Sequence, residues 1–228
     1  MRKESIKYLF SVEGETEKWY LQWLQRTINS APGALYTVKL DCPVQKDPLK
    51  RAKALITLER VEIFHIMDRE SEDEIHIKQF NTVLSRMNEA TKIGKSIKYS
   101  LGYSNFSFEL WIVLHKADCG SLLNHRYQYL PLLNRAYNEQ FENLHQYKHE
   151  VNFKRILDKL TLDDVIHAIL RAESIMRTIY ENGYTQRQYK GYKYYSENPS
   201  LSVWEIIKKI LSECGLSASD ETTNTAFD

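Results

Sequence analysis

Cysteine is scarce in this sequence, and its scarcity excludes several classes of protein. Three cysteines, Cys42, Cys119 and Cys214, occur in 228 residues, and they are so far apart that no CxxC pair exists. We therefore expect neither a disulfide framework nor a zinc ribbon. Because unpaired thiols are typical of a reducing compartment, we predict a cytoplasmic protein.

Long apolar runs are also missing. No stretch approaches the roughly 20 apolar residues that a membrane-spanning helix needs, and the initial "MRKESIKYLF" has no long apolar segment before the acidic residues that follow it. We expect no membrane partner and no secretion signal. The ATP-binding pattern GxxxxGK[ST] is absent as well, so a step driven by ATP would need another chain.

Neither sign of charge is in excess. The 31 basic and 30 acidic side chains nearly cancel, so the overall charge neither requires nor excludes a nucleic-acid partner. The hydrophobic fraction of 43% is enough to fill a core and indicates a folded protein. A functional site must therefore be sought in the local placement of charged residues.

Strand and helix patterns alternate through the first half of the chain. Apolar stretches and alternation predict strands at residues 5–12, 35–42, 60–71 and 96–104, and apolar residues at helical spacing predict helices at 15–28, 47–58, 74–90 and 106–116. This order is typical of an α/β fold with an open, mostly parallel sheet flanked by helices. We expect an α/β core over residues 1–120, a helical extension packed on it over 121–215, and a disordered tail over 216–228.

Carboxylates follow two of the predicted core strands. Glu13 and Glu17 come after the first strand and are four residues apart, so at a helix start they share a face. Asp68 and Glu70 lie at the end of the third predicted strand and point to the same side if the chain stays extended. Because ligands bind beyond the carboxyl ends of strands in open α/β sheets, we expect these side chains to meet there.

Two explanations of these carboxylates are open from the residues alone. Acidic residues after strands are often solvated charges or suit the positive end of a helix dipole, and we assign Glu15 to this role. Four carboxylates at one place would instead repel one another unless cations neutralise them. Oxygen ligands suit Mg²⁺ or Mn²⁺, and two such ions stabilise phosphodiester cleavage. We favour a metal site over helix capping.

Three segments resemble, in order, the motifs of the RloB-like family. They are "FSVEGETEKWYL" at 10–21, "IFHIMDRES" at 63–71 and "YSNFSFELWIVLH" at 103–115. The resemblance implies a Toprim-like fold, related to the overcoming-lysogenization-defect nucleases. It assigns the metal to Glu13, Glu17, Asp68 and Glu70, and places Glu109 in the catalytic site. Glu70 stands where the family usually has an aspartate, and Phe106 where it usually has a proline.

The resemblance also implies a function. It is that of a nuclease that cleaves phosphodiester bonds in RNA, including tRNA, or in DNA, with Mg²⁺ or Mn²⁺ as cofactor, as two ions. Such a chain would be the effector subunit of an anti-phage, abortive-infection system and would work with an ATPase subunit of the ABC or AAA type, with a homo-oligomer as an option. The alternative is a non-catalytic, Toprim-shaped binding subunit of an ATPase complex.

The sequence allows more than one role for several residues near these motifs. Glu109 lies among apolar residues, where an unpaired buried carboxylate is costly, so it either completes the metal site, which we favour, or holds a buried network. His65 and His115 are expected to be hydrogen-bonded core histidines. Lys98 and Lys116 are the candidates by position for the lysine that related nucleases place beside their metals.

Residues 184–199, "YTQRQYKGYKYYSENP", combine five tyrosines with basic residues. Aromatic and basic side chains in alternation suit single-stranded or looped nucleic acid, where rings stack on bases. The alternative is a loop whose tyrosines pack on the sheet or on a partner protein. Arg69, between Asp68 and Glu70, could likewise contact phosphate or pair with a neighbouring side chain. The candidate nucleic-acid contacts are Arg69, Arg187, Tyr189, Lys190 and Lys193.

Overall fold

A computed structural model describes residues 3–119, 123 and 125–216, and the predicted tail beyond residue 216 lies outside them. The predicted α/β sheet is confirmed. Four strands, all parallel, lie in the order β2-β1-β3-β4. Their bounds are β1 Ser5–Val12, β2 Thr37–Asp41, β3 Val61–Arg69 and β4 Ile97–Asn105. This open parallel sheet is consistent with the Toprim-like sheet that the resemblance implies.

Helices connect and follow these strands, as the alternating pattern predicts. The first four are α1 Glu15–Ser30, α2 Pro48–Ala54, α3 Glu74–Ala90 and α4 Glu109–Leu114. The next five are α5 Tyr129–Tyr137, α6 Leu144–Tyr147, α7 Glu150–Leu157, α8 Leu162–Glu181 and α9 Val203–Glu213, with a short 3₁₀ turn at Arg126–Gln128. None of the helices in the described part of the chain is both long and apolar enough to cross a membrane.

A small antiparallel hairpin interrupts the helices of the second half. Its strands are β5 Arg187–Tyr189 and β6 Tyr192–Tyr194. Lys190 and Gly191 form the turn, with φ values of 51° and 92°. Positive φ at both central residues is the geometry of a type I′ turn, which matches the twist of two short strands. The helical pattern of the surrounding sequence does not predict this hairpin.

Apolar side chains cover both faces of the parallel sheet. Successive residues of a strand point to opposite faces, and Phe10 accordingly belongs to one buried cluster while Leu9 belongs to another. The larger cluster joins the sheet to α1 and to α4–α9. The smaller cluster joins it to α2, α3 and the hairpin, through Phe80 and Tyr194 among others. The later helices and the α/β core thus share buried contacts.

The outer edge of β4 is covered near its carboxyl end by the segment before α9. Asn105 donates its backbone N–H to the carbonyl of Ser200 at 2.9 Å, and Ser202 donates to the carbonyl of Tyr103 at 2.8 Å. The Asn105 side chain also donates to Ser200 Oγ at 2.7 Å. These bonds pair backbone groups that an edge strand otherwise leaves open, and they hold residues 195–202 beside the end of the sheet that carries the predicted site.

Candidate metal centre

Glu13 and Asp68 meet at the carboxyl end of the sheet. β1 and β3 are neighbours, with Val12 opposite Ile66. Glu13 follows Val12 directly, so its side chain reaches the last residues of β3. The backbone N–H of Asp68 donates to Glu13 Oε2 at 3.1 Å. Carboxylates that are 55 positions apart in the chain are therefore brought together by strand pairing.

Glu17 joins this pair from the first turn of α1. Its side chain is buried, and Thr16 Oγ1 donates to Oε2 at 3.0 Å. A Cβ atom built on Gly14 would lie 2.9 Å from the same Oε2. Gly14 has an extended backbone, with φ of −142°, which any residue adopts. A side chain at position 14 would therefore displace the Glu17 carboxylate, whereas the backbone conformation itself does not require glycine.

The middle carboxylate of this segment is separate from the others. Glu15 is exposed, and Lys18 Nζ lies 2.9 Å from Glu15 Oε2. It stands at the amino end of α1, where the partial positive charge of the helix favours an acidic side chain. The prediction that Glu15 is a solvated residue of the first helical turn is confirmed.

The carboxylates of Glu13, Glu17 and Asp68 are poorly solvated and near enough to affect one another's ionisation. Burial raises the pKa of Glu13 to about 7; the charges of Glu17 and Glu70 add to this, while the Asp68 N–H and Lys46 oppose it. Burial likewise raises the pKa of Asp68 well above its ordinary value, with Glu17 and Glu13 as further causes. Burial also raises the pKa of Glu17. Each carboxylate thus makes ionisation of its neighbours less favourable, a strain that a cation would relieve.

Glu109 approaches the same place from the start of α4. It is buried, and its Oε1 lies 3.0 Å from Lys148 Nζ. Among the residues that the structure describes, its Oε2 has no hydrogen-bond partner. The charge of Glu109 is one cause of the raised pKa values of Asp68 and Glu17. Glu109 thus pairs with Lys148 and lies near Asp68 and Glu17, a position that fits both of its predicted roles.

Lys148 is the lysine that the fold brings to these carboxylates. Burial favours its neutral amine, but the charges of Glu109 and Asp68 outweigh this effect and raise its pKa. The lysines suggested by sequence position lie in other ion pairs: Lys98 Nζ is 2.6 Å from Glu62 Oε1, and Lys116 Nζ is 2.7 Å from Asp164 Oδ2. Lys148 lies directly after the four-residue helix α6, where no sequence motif marks it.

Glu70 lies at the margin of the cluster. β3 ends at Arg69, so Glu70 is outside the strand. Its side chain is partly exposed, and its Oε2 lies 3.2 Å from His76 Nε2 and 3.5 Å from Arg126 Nη1. Its charge still contributes to the raised pKa of Glu13. The predicted four carboxylates therefore form a close set of three with Glu70 at one side.

Arg69 contacts protein groups rather than solvent. It is buried, its Nη1 donates to the Ser196 carbonyl at 3.2 Å, and it forms an ion pair with Glu72. Its guanidinium also lies over the ring of Tyr194, 5.7 Å from the centroid. The structure thus shows the alternative role considered for this residue, in which it pairs with neighbours.

The tyrosines of residues 184–199 lie mostly against the protein. The buried Tyr194 ring packs on Phe80 with centroids 4.9 Å apart, and Tyr189 is partly buried, with its hydroxyl accepting a bond from Ser85 Oγ at 3.4 Å. The basic side chains of this segment, Arg187, Lys190 and Lys193, are exposed. Tyr189 and Tyr194 therefore pack on the protein, as the alternative proposed, while the three basic side chains remain accessible to a ligand.

The two histidines near the motifs are core residues, as expected. His115 is buried, and its Nδ1 lies 2.8 Å from the Trp111 carbonyl and its Nε2 3.1 Å from the Tyr20 hydroxyl. Burial lowers the pKa of His115 to about 4. His65 is also buried, with Nδ1 2.7 Å from Ser11 Oγ, and burial lowers its pKa to about 3. Both rings are therefore neutral at physiological pH.

Two observations bear on whether this cluster fits a divalent cation. Within the described ranges, no group of three or more His, Cys, Asp or Glu side chains is arranged to hold a metal ion. The chemistry of the donors nevertheless fits one: they are carboxylate oxygens with raised pKa values, a Glu109 oxygen without a hydrogen bond, and a space at Gly14 that a Cβ would fill. Binding would require Glu13, Glu17 and Asp68 to turn toward a common point.

Comparison with known proteins identified a family. The model of the family described as RloB-like protein matches residues 8–210. The match therefore extends from β1 through the carboxylate cluster and the hairpin to most of α9. Searches of curated proteins and of solved structures gave no match.

Proposed function

This chain belongs to the RloB-like family, and from that membership and its carboxylate cluster we propose that it is a divalent-metal-dependent nuclease. The substrate is a phosphodiester bond in RNA, including tRNA, or in DNA. The single observation that carries the proposal is the hydrogen bond between Asp68 and Glu13 at the carboxyl end of a parallel sheet, with Glu17 near enough for its charge to raise the pKa of both carboxylates. A stable fold gains nothing from placing repelling carboxylates together, whereas a cation site requires them.

Each residue of the cluster has a role in this proposal. Glu13, Glu17 and Asp68 would hold Mg²⁺ or Mn²⁺, which supplies Lewis-acid polarisation of the phosphate and lowers the pKa of a bound water. The Asp68 N–H orients the Glu13 carboxylate, and the Thr16 hydroxyl orients that of Glu17. Lys148, whose side chain is 40% exposed, supplies a positive charge between Glu109 and solvent. Glu70, at the margin of the cluster, would add a further negative charge near the metal.

We extend the proposal to an anti-phage defence system in which this chain is the effector and an ATPase of the ABC or AAA type is its partner. Two facts support this extension. The chain is a member of the RloB-like family, and its sequence lacks the GxxxxGK[ST] pattern for binding ATP. A chain of this kind would obtain any ATP-driven step from the partner.

A second candidate function is a non-catalytic binding subunit of the same ATPase complex. The observation that favours it is the absence, within the described ranges, of a carboxylate group already arranged for a metal. The ion pair between Lys148 and Glu109 adds to it, because an ammonium already neutralises part of the cluster. In that case Lys148 would be a permanent counterion of Glu109.

Calorimetric titration with Mn²⁺ and Mg²⁺, followed by a cleavage assay on mixed RNA and DNA, separates these functions. We expect the wild-type protein to bind metal and the double variant Glu13→Gln/Asp68→Asn to bind none and to cleave nothing. Glu181→Gln, which changes an exposed carboxylate on the last turn of α8, is the matched control and should behave as wild type. Absence of metal binding by the wild-type chain at millimolar metal would favour the binding subunit.

A further inference from the structure

An exposed pair of aromatic rings flanks Arg126, which pairs with Glu70 at the margin of the carboxylate cluster. The rings of His125 and Tyr127 have centroids 4.5 Å apart and planes inclined by 31°. Tyr127 is 61% exposed, and His125 is also exposed. Stacked rings are usually found in a core, where they exclude water from apolar surface. A stack that remains in water offers ring surface to a ligand.

Local hydrogen bonds hold this stack in place. The Tyr127 backbone N–H donates to His125 Nδ1 at 3.3 Å, and the His125 backbone N–H donates to Gln128 Oε1 at 3.0 Å. Together they cap the 3₁₀ turn Arg126–Gln128 and fix the orientation of the imidazole. A binding surface that is fixed before the ligand arrives loses less conformational entropy on binding.

Arg126 connects the stack to the acidic cluster. Its guanidinium carbon lies 5.7 Å from the centroid of the Tyr127 ring, and its Nη1 lies 3.5 Å from Glu70 Oε2. Glu70 in turn is close enough for its charge to raise the pKa of Glu13. Both members of the Arg126–Glu70 pair are more than a third exposed, and such surface ion pairs are weak. Release of Glu70 by Arg126 would therefore cost little, which leaves the guanidinium able to contact an anion.

We propose that His125 and Tyr127 form a platform on which an unpaired base of a single-stranded nucleic acid stacks, while Arg126 contacts the adjoining phosphate. Stacking on an aromatic side chain is available to any base that is not already within a duplex. The platform therefore favours single strands over duplexes and leads the backbone past Glu70 toward Glu13 and Asp68. Its place in cleavage rests on the proposed nuclease function, but base binding does not.

The test is fluorescence anisotropy with the full chain in EDTA, so that no metal-dependent cleavage occurs. The probes are fluorescein-labelled single-stranded RNA and DNA of mixed sequence and the matching duplexes. We expect Tyr127→Ala to weaken single-strand binding by about tenfold, within the range for loss of one base–aromatic stack. Tyr127→Trp should retain affinity. Tyr180→Ala, which removes another exposed ring, on α8, is the control and should bind as wild type.

The role of Arg126 is tested separately, by the salt dependence of the affinity. Arg126→Gln should make the slope of log affinity against log salt concentration less steep, by the amount expected for the loss of about one phosphate contact. The proposal is overturned if Tyr127→Ala binds single strands as wild type does, if duplexes bind as tightly as single strands, or if the wild-type chain binds neither. Because these measurements exclude metal, they stand even if the metal-dependent cleavage proposed above is not found.

Discussion

Asp68 donates its backbone N–H to the Glu13 side chain at 3.1 Å across the neighbouring strands β1 and β3. The bond fixes one carboxylate of the cluster by the backbone of the residue that supplies another. Strand pairing thus determines how closely the two motifs approach each other.

Removing charge from the metal-free cluster should stabilise the protein. In EDTA, the double variant Glu13→Gln/Asp68→Asn should unfold with a free energy about 1–2 kcal/mol higher than wild type, because burial disfavours both ionised carboxylates and the charge of Glu13 raises the pKa of Asp68 further. Urea denaturation at neutral pH measures the difference. A variant less stable than wild type would show that the native fold already compensates these charges.

Enlarging Gly14 should affect the site more than the fold. The Cβ of Gly14→Ala would lie 2.9 Å from Glu17 Oε2, so the carboxylate must turn away, while the extended backbone accepts alanine. We expect metal affinity to fall by about tenfold and the free energy of unfolding to change by less than about 1 kcal/mol. Calorimetry and urea denaturation measure the two quantities.

Gly33→Ala is the matched control for Gly14→Ala. A Cβ at Gly33 would be 3.8 Å from the nearest atom, Leu216 Cδ2, which is an ordinary contact. Both the metal affinity and the stability of this variant should equal those of wild type. Equal metal affinity for the two alanine variants would mean that Glu17 is not a ligand.

The sequence predicted the parts of this fold that depend on local pattern. β1 and β3 are apolar on both faces, as central parallel strands must be, and Gly14 and the acidic first turn marked the start of α1. The convergence of Glu13 and Asp68 followed from the rule that parallel strands end at one edge of a sheet. Glu70 does not lie where the sequence predicts. β3 ends at Arg69, so the alternation of side chains along an extended strand does not continue to Glu70.

The position of Lys148 and the presence of the hairpin could not be predicted from local sequence patterns. Lys148 reaches Glu109 through the packing of α6 and α7, a contact between distant segments that leaves no periodic pattern in the sequence. The strands of the hairpin are three residues long, too short for alternation to be distinguished from chance. Its tyrosines suggested base stacking, whereas Tyr194 packs in the core and the open rings lie at His125 and Tyr127.

The buried histidines should contribute a loss of stability on acidification, opposite in sign to the contribution of Glu13 and Asp68, whose raised pKa values favour the folded state as the pH falls. Burial lowers the pKa of His115 to about 4, whereas an unfolded histidine titrates near 6.5. The unfolded state therefore binds more protons below that pH, and stability is present above about 6.5 and is lost as the pH falls toward 4. At about pH 5, His115 alone should contribute a loss of about 2 kcal/mol relative to neutral pH.

Urea denaturation across this pH range tests the histidine prediction. His115→Gln should lose less stability between neutral pH and about pH 5 than wild type does, even if it is less stable throughout. His145→Gln, which changes an exposed histidine, should keep the full pH dependence of wild type. A His115→Gln curve parallel to that of wild type would show that the ring is not held neutral.

The ion pair between Lys148 and Glu109 should be required for stability in the absence of metal. Lys148→Met leaves a buried carboxylate without its counterion, and we expect the free energy of unfolding in EDTA to fall by about 1–2 kcal/mol, less than for a fully buried pair because Lys148 is partly exposed. The double variant Lys148→Met/Glu109→Gln should recover much of this loss, since no buried charge remains. Additive losses in the double-mutant cycle would show that the two side chains do not interact.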